Sequence, residues 1–194
     1  MLSIRVFVAG AGVCVGVAAA ALSAPAFAQQ KLLPAQSEIV FVTKQMGVPV
    51  EGRFKKFDAQ IAFDPAKPEA GKIAFTVDMA SATLGVPDTD AELPRSTWFN
   101  TPKFPQATFQ STTIKGLGGG KFEVSGKLSI KGATRDVVAP VVLAQSGANT
   151  VVTGAFAVKR LEFKIGENEW ADTSMVADDV QVKFKLALTG VGKW

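Results

Sequence analysis

The chain has 194 residues, of which 47% are apolar and 20% charged, with a formal net charge of +4, no His, no Tyr and one Cys. Without His there is no Ser-His-Asp triad, no Cys-His pair and no His-built zinc or haem site; without Tyr there is no phenolic acid or base. The length favours a single domain.

The first residues read as an export signal. Arg5 supplies a positive start and an Ala/Val/Gly-rich run follows from Val6 to Leu22. Ala26-Phe27-Ala28 then gives the small-x-small pattern that a signal peptidase cleaves. Residues 1–28 are therefore expected to be removed after Ala28, leaving residues 29–194 as one exported domain. The only cysteine, Cys14, lies in the removed segment, and Val13 precedes it where a lipoprotein signal needs a small residue. The mature chain then has neither a disulfide nor a thiol nucleophile. Its Lys and Arg are scattered, which leaves no electrostatic footprint for nucleic acid. No second long apolar run is present to span a membrane as a helix.

From residue 37 onward a period of two dominates. Ser37–Thr43 places Ile39 and Phe41 on one side. Val50–Phe63 changes phase: Gly52 and Phe54 share one parity, while Phe57, Ala59, Ile61 and Phe63 share the other. An extra residue near Lys55-Lys56 is expected to form a bulge there. Ile73, Phe75, Val77 and Met79 form a third row. Ser81–Pro105 interrupts the pattern with Pro87, Pro94, Pro102 and Pro105, and has room for one short helix near Asp88.

Thr108–Ile114 resumes the strands, and the clearest alternation comes next. Phe122, Val124, Gly126, Leu128 and Ile130 face away from Lys121, Glu123, Ser125, Lys127 and Ser129. Arg135–Gln145 and Thr150–Lys159 follow. The acidic stretch Leu161–Asp179, carrying Trp170, interrupts again. Val182, Phe184, Leu186 and Leu188 end the series. Eight strands with mostly short links predict consecutive antiparallel pairing. The fold class is all-β: an eight-stranded antiparallel barrel with one short helix and a long loop. Its interior holds one small ligand or is filled by side chains.

The motifs that suggest chemistry fail on inspection. Asp88-Thr89-Asp90-Ala91-Glu92 lacks the Gly that a calcium loop needs next, since Leu93 stands there. Gly118-Gly119-Gly120-Lys121 leads into Phe122 and a strand, where a phosphate loop needs Ser or Thr and a helix. Glu167, Glu169, Asp172, Asp178 and Asp179 read as a solvated loop. No catalytic residue, metal ligand or cofactor is assigned.

Several blocks in order are similar to one family. They are Gly52-Arg53-Phe54…Phe57, Phe63-Asp64-Pro65, Ala80-Ser81-Ala82-Thr83, Asp90…Leu93-Pro94-Arg95-Ser96…Trp98-Phe99-Asn100 and Phe104-Pro105…Thr108-Phe109…Ser111. Gly132-Ala133-Thr134-Arg135 and Arg160…Phe163-Lys164-Ile165-Gly166 complete them. Together they cover nearly all of the mature chain and resemble the YceI-like family. The resemblance implies a lipocalin-like barrel, exported to the bacterial periplasm, that encloses a polyisoprenoid or another long amphiphile. One departure stands out: the family often has His two residues before the Leu of its Asp-x-x-Leu-Arg-Ser block, and here Glu92 and an inserted-looking Pro94 occupy that region.

On that reading Phe41, Phe54, Phe75, Phe109, Leu128, Phe156 and Phe184 line an apolar tunnel. Ser81, Thr83, Arg95, Arg135 and Arg160 are headgroup candidates, because guanidinium and hydroxyl groups meet a polar or anionic head. Periodicity alone favours a packed core over a tunnel, and the family resemblance reverses that order. The expected ligand is an isoprenoid-type or quinone-type lipid, with no catalysis and no nucleic acid, and a homodimer is compatible with the sequence. The alternative is a filled barrel acting as an interaction module for a membrane redox or stress-response partner. An outer-membrane barrel is disfavoured by the missing Tyr girdle and by Gly190 and Gly192 in the last strand.

Overall fold

The computed structural model describes residues 30–194, so the export segment lies outside the described residues. The strands are β1 (Lys31–Leu32), β2 (Glu38–Gln45), β3 (Val48–Phe54), β4 (Phe57–Ala62), β5 (Lys72–Asp78) and β6 (Ala82–Thr83). They continue with β7 (Gln106–Gly118), β8 (Lys121–Ile130), β9 (Ala133–Ser146), β10 (Asn149–Lys159) and β11 (Asp179–Thr189). One helical turn, α1 (Pro87–Asp90), falls near Asp88 as expected, with Pro at its start and Asp88 and Asp90 in its first turn. All strands join one antiparallel sheet in the order β4-β5-β7-β8-β9-β10-β11-β2-β3-β6, with β1 on β11.

Eleven strands replace the expected eight because one is split and two are additional two-residue pieces, β1 and β6. The split corrects the reading at Lys55-Lys56. A bulge would keep one strand on one partner, whereas here the chain changes partners. Phe54 lies opposite Ile39 of β2, and Phe57 lies opposite Val77 of β5. The Lys55 N–H donates to the Ser81 carbonyl at 3.2 Å, and the Lys56 carbonyl accepts from the Asp78 N–H at 3.0 Å. The two flanks of the hydrogen-bonded path are thus consecutive in sequence, and the corner curls the sheet onto itself. A second tie forms where Gln30 bridges Ile61 on β4 and Lys31 pairs with Thr189 on β11.

The alternation sorts the barrel wall. Phe122, Val124 and Leu128 are buried inside, while Lys121 and Lys127 are exposed outside. Charged pairs cross the outer face, such as Lys127–Asp136 at 2.9 Å and Lys159–Asp179 at 2.7 Å. An apolar inside with a charged outside is the reverse of a membrane-spanning barrel. Among the described residues no helix is long and apolar enough to cross a membrane. Two inward glycines make room for rings. Gly52 lies opposite Phe41 and Gly154 opposite Phe184, and a Cβ at either position would collide with that ring.

Topology separates two ends. One end carries the β7–β8 and β9–β10 turns and the 63–71 link; the other carries the β2–β3 hairpin and the loops 84–105 and 160–178. A buried cluster closes the first end, with Phe63, Ile114, Phe122, Leu143 and Leu188. The Phe63 and Phe122 rings meet edge to face, their centroids 5.2 Å apart. A second cluster under the loops gathers Met79, Leu93, Phe99, Phe163 and Ile165. Phe163 is only 1% exposed, and full burial of such a side chain contributes about 1.5–3 kcal/mol.

Candidate functional site: an apolar cavity inside the barrel

Between the two clusters lies a cavity of about 330 Å³. Phe41, Phe54, Phe75, Phe109, Leu128, Phe156 and Phe184 all line it. The sheet brings them together across strands: Phe75 sits opposite Phe109, and Leu128 opposite Phe109 on its other side. The Phe41 and Phe54 rings lie 5.2 Å apart, and Phe156 and Phe184 lie 6.5 Å apart. Their burial is informative. Phe54, Phe75, Phe109, Phe156 and Phe184 face inward yet stay only partly buried, whereas Phe63 and Phe122 at the closed end are buried. The middle rings border open space, so the barrel is hollow where they stand. A volume of this order lies at the small end of ligand cavities.

Two exposed residues line the cavity, Gln45 at the end of β2 and Thr89 in α1. The cavity therefore reaches solvent between them, at the loop end of the barrel. Glu92 and Thr43 also border it there. At the opposite end every described lining residue is buried or partly buried, which makes a floor.

Of the five headgroup candidates only Arg160 lines the cavity, and its donors are already engaged. Nε donates to the Ala177 carbonyl, Nη1 to Ile165 and Gly166, and Nη2 to Trp170 and Val176, at 2.6–3.1 Å. All five guanidinium N–H groups end on backbone carbonyls of the 160–178 loop. Burial pushes the Arg160 pKa down, against the field of Asp178. This residue ties a loop.

The other four candidates lie away from the cavity wall. The Ser81 hydroxyl donates to the Asp78 carbonyl at 2.6 Å and accepts from the Lys56 N–H at 3.0 Å, fixing the corner. The Thr83 hydroxyl donates to Asp90 Oδ2 at 2.5 Å. Arg95 is exposed and pairs with Glu92 at 3.1 Å. Arg135, on the outer surface, pairs with Glu162 at 3.4 Å. The Ser81 and Thr83 hydroxyls are thus bonded within the fold, while Arg95 and Arg135 form surface ion pairs.

Sequence reasoning missed a second buried cation. Lys131, 7% exposed, donates to the Ser96 carbonyl at 2.7 Å, the Lys164 carbonyl at 2.5 Å and Glu167 Oε2 at 2.9 Å. It binds the 84–105 loop to the 160–178 loop. The Lys-Gly pair signals a turn and nothing in the sequence marks the ammonium as buried. Also missed were Trp98 and Trp170, whose rings pack 5.5 Å apart and border the cavity. The acidic residues of these loops are committed as well. Asp90 accepts from Thr83 and from the Leu84 N–H, Asp172 from Ser174, and Asp178 from the Leu161 N–H. Among the described residues no group of three or more His, Cys, Asp or Glu side chains is placed to hold a metal ion.

Comparison with known proteins identifies the family and the fold. A family model described as YceI-like domain matches residues 31–188. A UPF0312 protein of Azotobacter vinelandii is 38% identical over 87 residues, 45% of each protein, so the chain spans about half the length of that relative. A UPF0312 protein of Vibrio cholerae is 27% identical over 157 residues, covering 76% of this chain and 83% of that protein. Among solved structures, BcnA of Burkholderia cenocepacia superposes with a TM-score of 0.78 at 46% identity, covering 81% of this chain and 99% of that one. A polyisoprenoid binding domain from Saccharophagus degradans, implicated in plant cell wall breakdown, superposes with a TM-score of 0.67 at 16% identity, covering 83% and 98%, which shows likeness of fold.

Proposed function

This chain belongs to the YceI-like domain family, and from that premise we propose that it is a non-catalytic binding and carrier protein for a long-chain isoprenoid-type or quinone-type amphiphile. The tail runs along the partly buried Phe rings toward the floor, and the polar end stays near Gln45 and Thr89. The observation that carries this reading is the hollow itself: inward rings on five strands border space that no side chain fills. Each methylene moved from water to such a wall contributes about 0.8 kcal/mol. The printed description of the Saccharophagus neighbour as polyisoprenoid-binding supports the same ligand class. The periplasm is the proposed location, reached by cleavage after Ala28.

Mass spectrometry of organic extracts from protein purified out of the periplasmic fraction tests this. The expected result is a long-chain lipid in a ratio of about one per chain, since the barrel encloses one apolar cavity with room for one ligand. The intact protein is expected to begin at Gln29. Lipid-free protein that also takes up neither isoprenoids nor quinones would overturn the carrier reading. The interaction module for a membrane redox or stress-response partner would then lead.

A further inference from the structure

We propose that the mouth of the barrel docks on a lipid bilayer with zwitterionic headgroups, through exposed apolar side chains on three loop tips around the opening. The proposal rests on the carrier reading and adds where the protein collects and delivers its ligand.

The apolar inner face of the wall does not stop at the opening. On β3, Val48 shares parity with Val50 and Phe54, which border the cavity, yet Val48 is 63% exposed. Met46, at the tip of the β2–β3 hairpin, is 72% exposed beside Gln45 in the cavity wall. The 160–178 loop repeats the arrangement: Val176 borders the cavity, and Met175 next to it is exposed. These two tips touch, since the Met46 N–H donates to the Met175 carbonyl at 2.8 Å and Gln45 bridges Val176. The third tip leaves β6, which pairs antiparallel with β3 and so runs toward the hairpin turn. There Leu84 borders the cavity and Val86 is exposed. Each segment thus places one residue in the wall and a nearby apolar one in water, the mark of an interaction surface. Elsewhere exposed apolar residues are interrupted, as where Val138 and Val142 lie opposite Ser125 and Lys121 on the outer wall.

Charge and cargo select the partner. Residues 45–50, 84–87 and 173–177 contain no charged side chain. The charged residues that follow or precede them most closely are Lys44 and Glu51, Asp88, and Asp172 and Asp178. Arg53 answers Glu51 at 3.9 Å, and Arg95 answers Glu92 at 3.1 Å. Cations are not in excess, so anionic lipid offers no attraction and the apolar tips supply the driving force. The cargo points the same way. Each methylene of a tail left in water lowers the exposed population by about fourfold. A mouth seated on the bilayer lets the tail pass from acyl chains into the hollow without that exposure, whereas a second copy seated mouth to mouth would shut both openings.

Flotation with phosphatidylcholine vesicles tests this on delipidated protein, comparing wild type with the combined variant Met46→Asn, Val48→Ser, Met175→Gln. All three side chains are exposed, and Asn tolerates the positive φ of 48° at position 46, so thermal unfolding should hardly move. Wild type is expected to float, and the variant to bind the vesicles at least about tenfold more weakly. Geranylgeraniol carried in the vesicles should reach the variant more slowly by a similar factor, while farnesol added from solution binds both proteins within about twofold. Adding phosphatidylglycerol should not tighten binding. Equal flotation of the two proteins, or flotation that requires phosphatidylglycerol, would overturn the proposal. So would wild type that takes up farnesol yet does not float; a dimer abolished by the same substitutions would then assign the rim to a second copy. Wild type that floats but takes up neither isoprenoid would support docking and sink the carrier reading. A second readout needs no variant. With methyl-labelled methionine and a nitroxide on the lipid headgroup, the Met46 and Met175 signals should broaden before that of Met79, which is 2% exposed. Equal broadening of all three would contradict the proposal.

Discussion

The floor and the mouth of this barrel are held by different physics. At the floor, Phe63, Ile114, Phe122, Leu143 and Leu188 come from several elements and share the work of excluding water. At the mouth, two irregular loops are fastened by Arg160 and Lys131, each cation ending on several carbonyl oxygens. Apolar packing is distributed, so one change is partly absorbed by its neighbours. A buried cation is concentrated, so one change leaves several acceptors unpaired at once. The hollow lies between the two, and it needs both: a sealed floor to stay dry and a fixed rim to stay open.

Substitutions can break this contrast, and Arg160→Met should do so most severely. It strips the carbonyls of Ala177, Ile165, Gly166, Trp170 and Val176 of their donor, and a loss of about 4–5 kcal/mol is expected in chemical denaturation. Arg160→Lys, with three donors on a flexible stem, should fall in between. A Met variant as stable as wild type would show that the loop is fastened by other contacts. At the floor, Ile114→Ala should cost about 3 kcal/mol. Because the mouth is untouched, the folded fraction should still take up lipid; loss of uptake without loss of stability would blur the division of labour.

Smaller changes sharpen the picture. Gly52→Ala adds a methyl where the Phe41 ring lies. The ring must tip into the hollow, with a cost of about 1–2 kcal/mol and reduced lipid capacity. The smallest effect concerns acid. The Thr83 hydroxyl, then the Leu84 N–H, hold the Asp90 carboxyl below its usual value. Its contribution is complete above the ordinary carboxylate range and is lost as pH falls from there through the depressed folded value. Protection factors of the Leu84 and Gly85 amides, which remove the intrinsic pH dependence of exchange, should therefore fall below about pH 4 in wild type. In Asp90→Asn they should be low already at neutral pH and unchanged by acid.

The same contrast explains what could be read from the chain. Strands report themselves through parity, because a side chain every second residue must choose water or the interior. That is why the inward Phe rings and the closed antiparallel order were legible. The parity shift at Lys55-Lys56 was legible too, but the partner change was not: a bulge and a corner leave the same local mark. The mouth hides more. Carbonyl acceptors carry no side-chain signature, so nothing in Arg160 or Lys131 announces that loops will wrap around them. A basic residue at a strand end then looks like a headgroup ligand when its donors belong to the backbone.

The central claim is that the rings in the middle of the barrel border a space a lipid tail fills. Phe75→Trp tests it most directly, with lipid occupancy and thermal unfolding measured on one sample. Phe75 lies mid-strand opposite Phe109 and borders the cavity. A larger ring should occupy the tail's path, so occupancy should collapse while stability changes by less than about 1 kcal/mol. If instead the variant keeps its lipid and loses about 1–3 kcal/mol, as overpacking of a filled core would cause, the hollow is not the binding site.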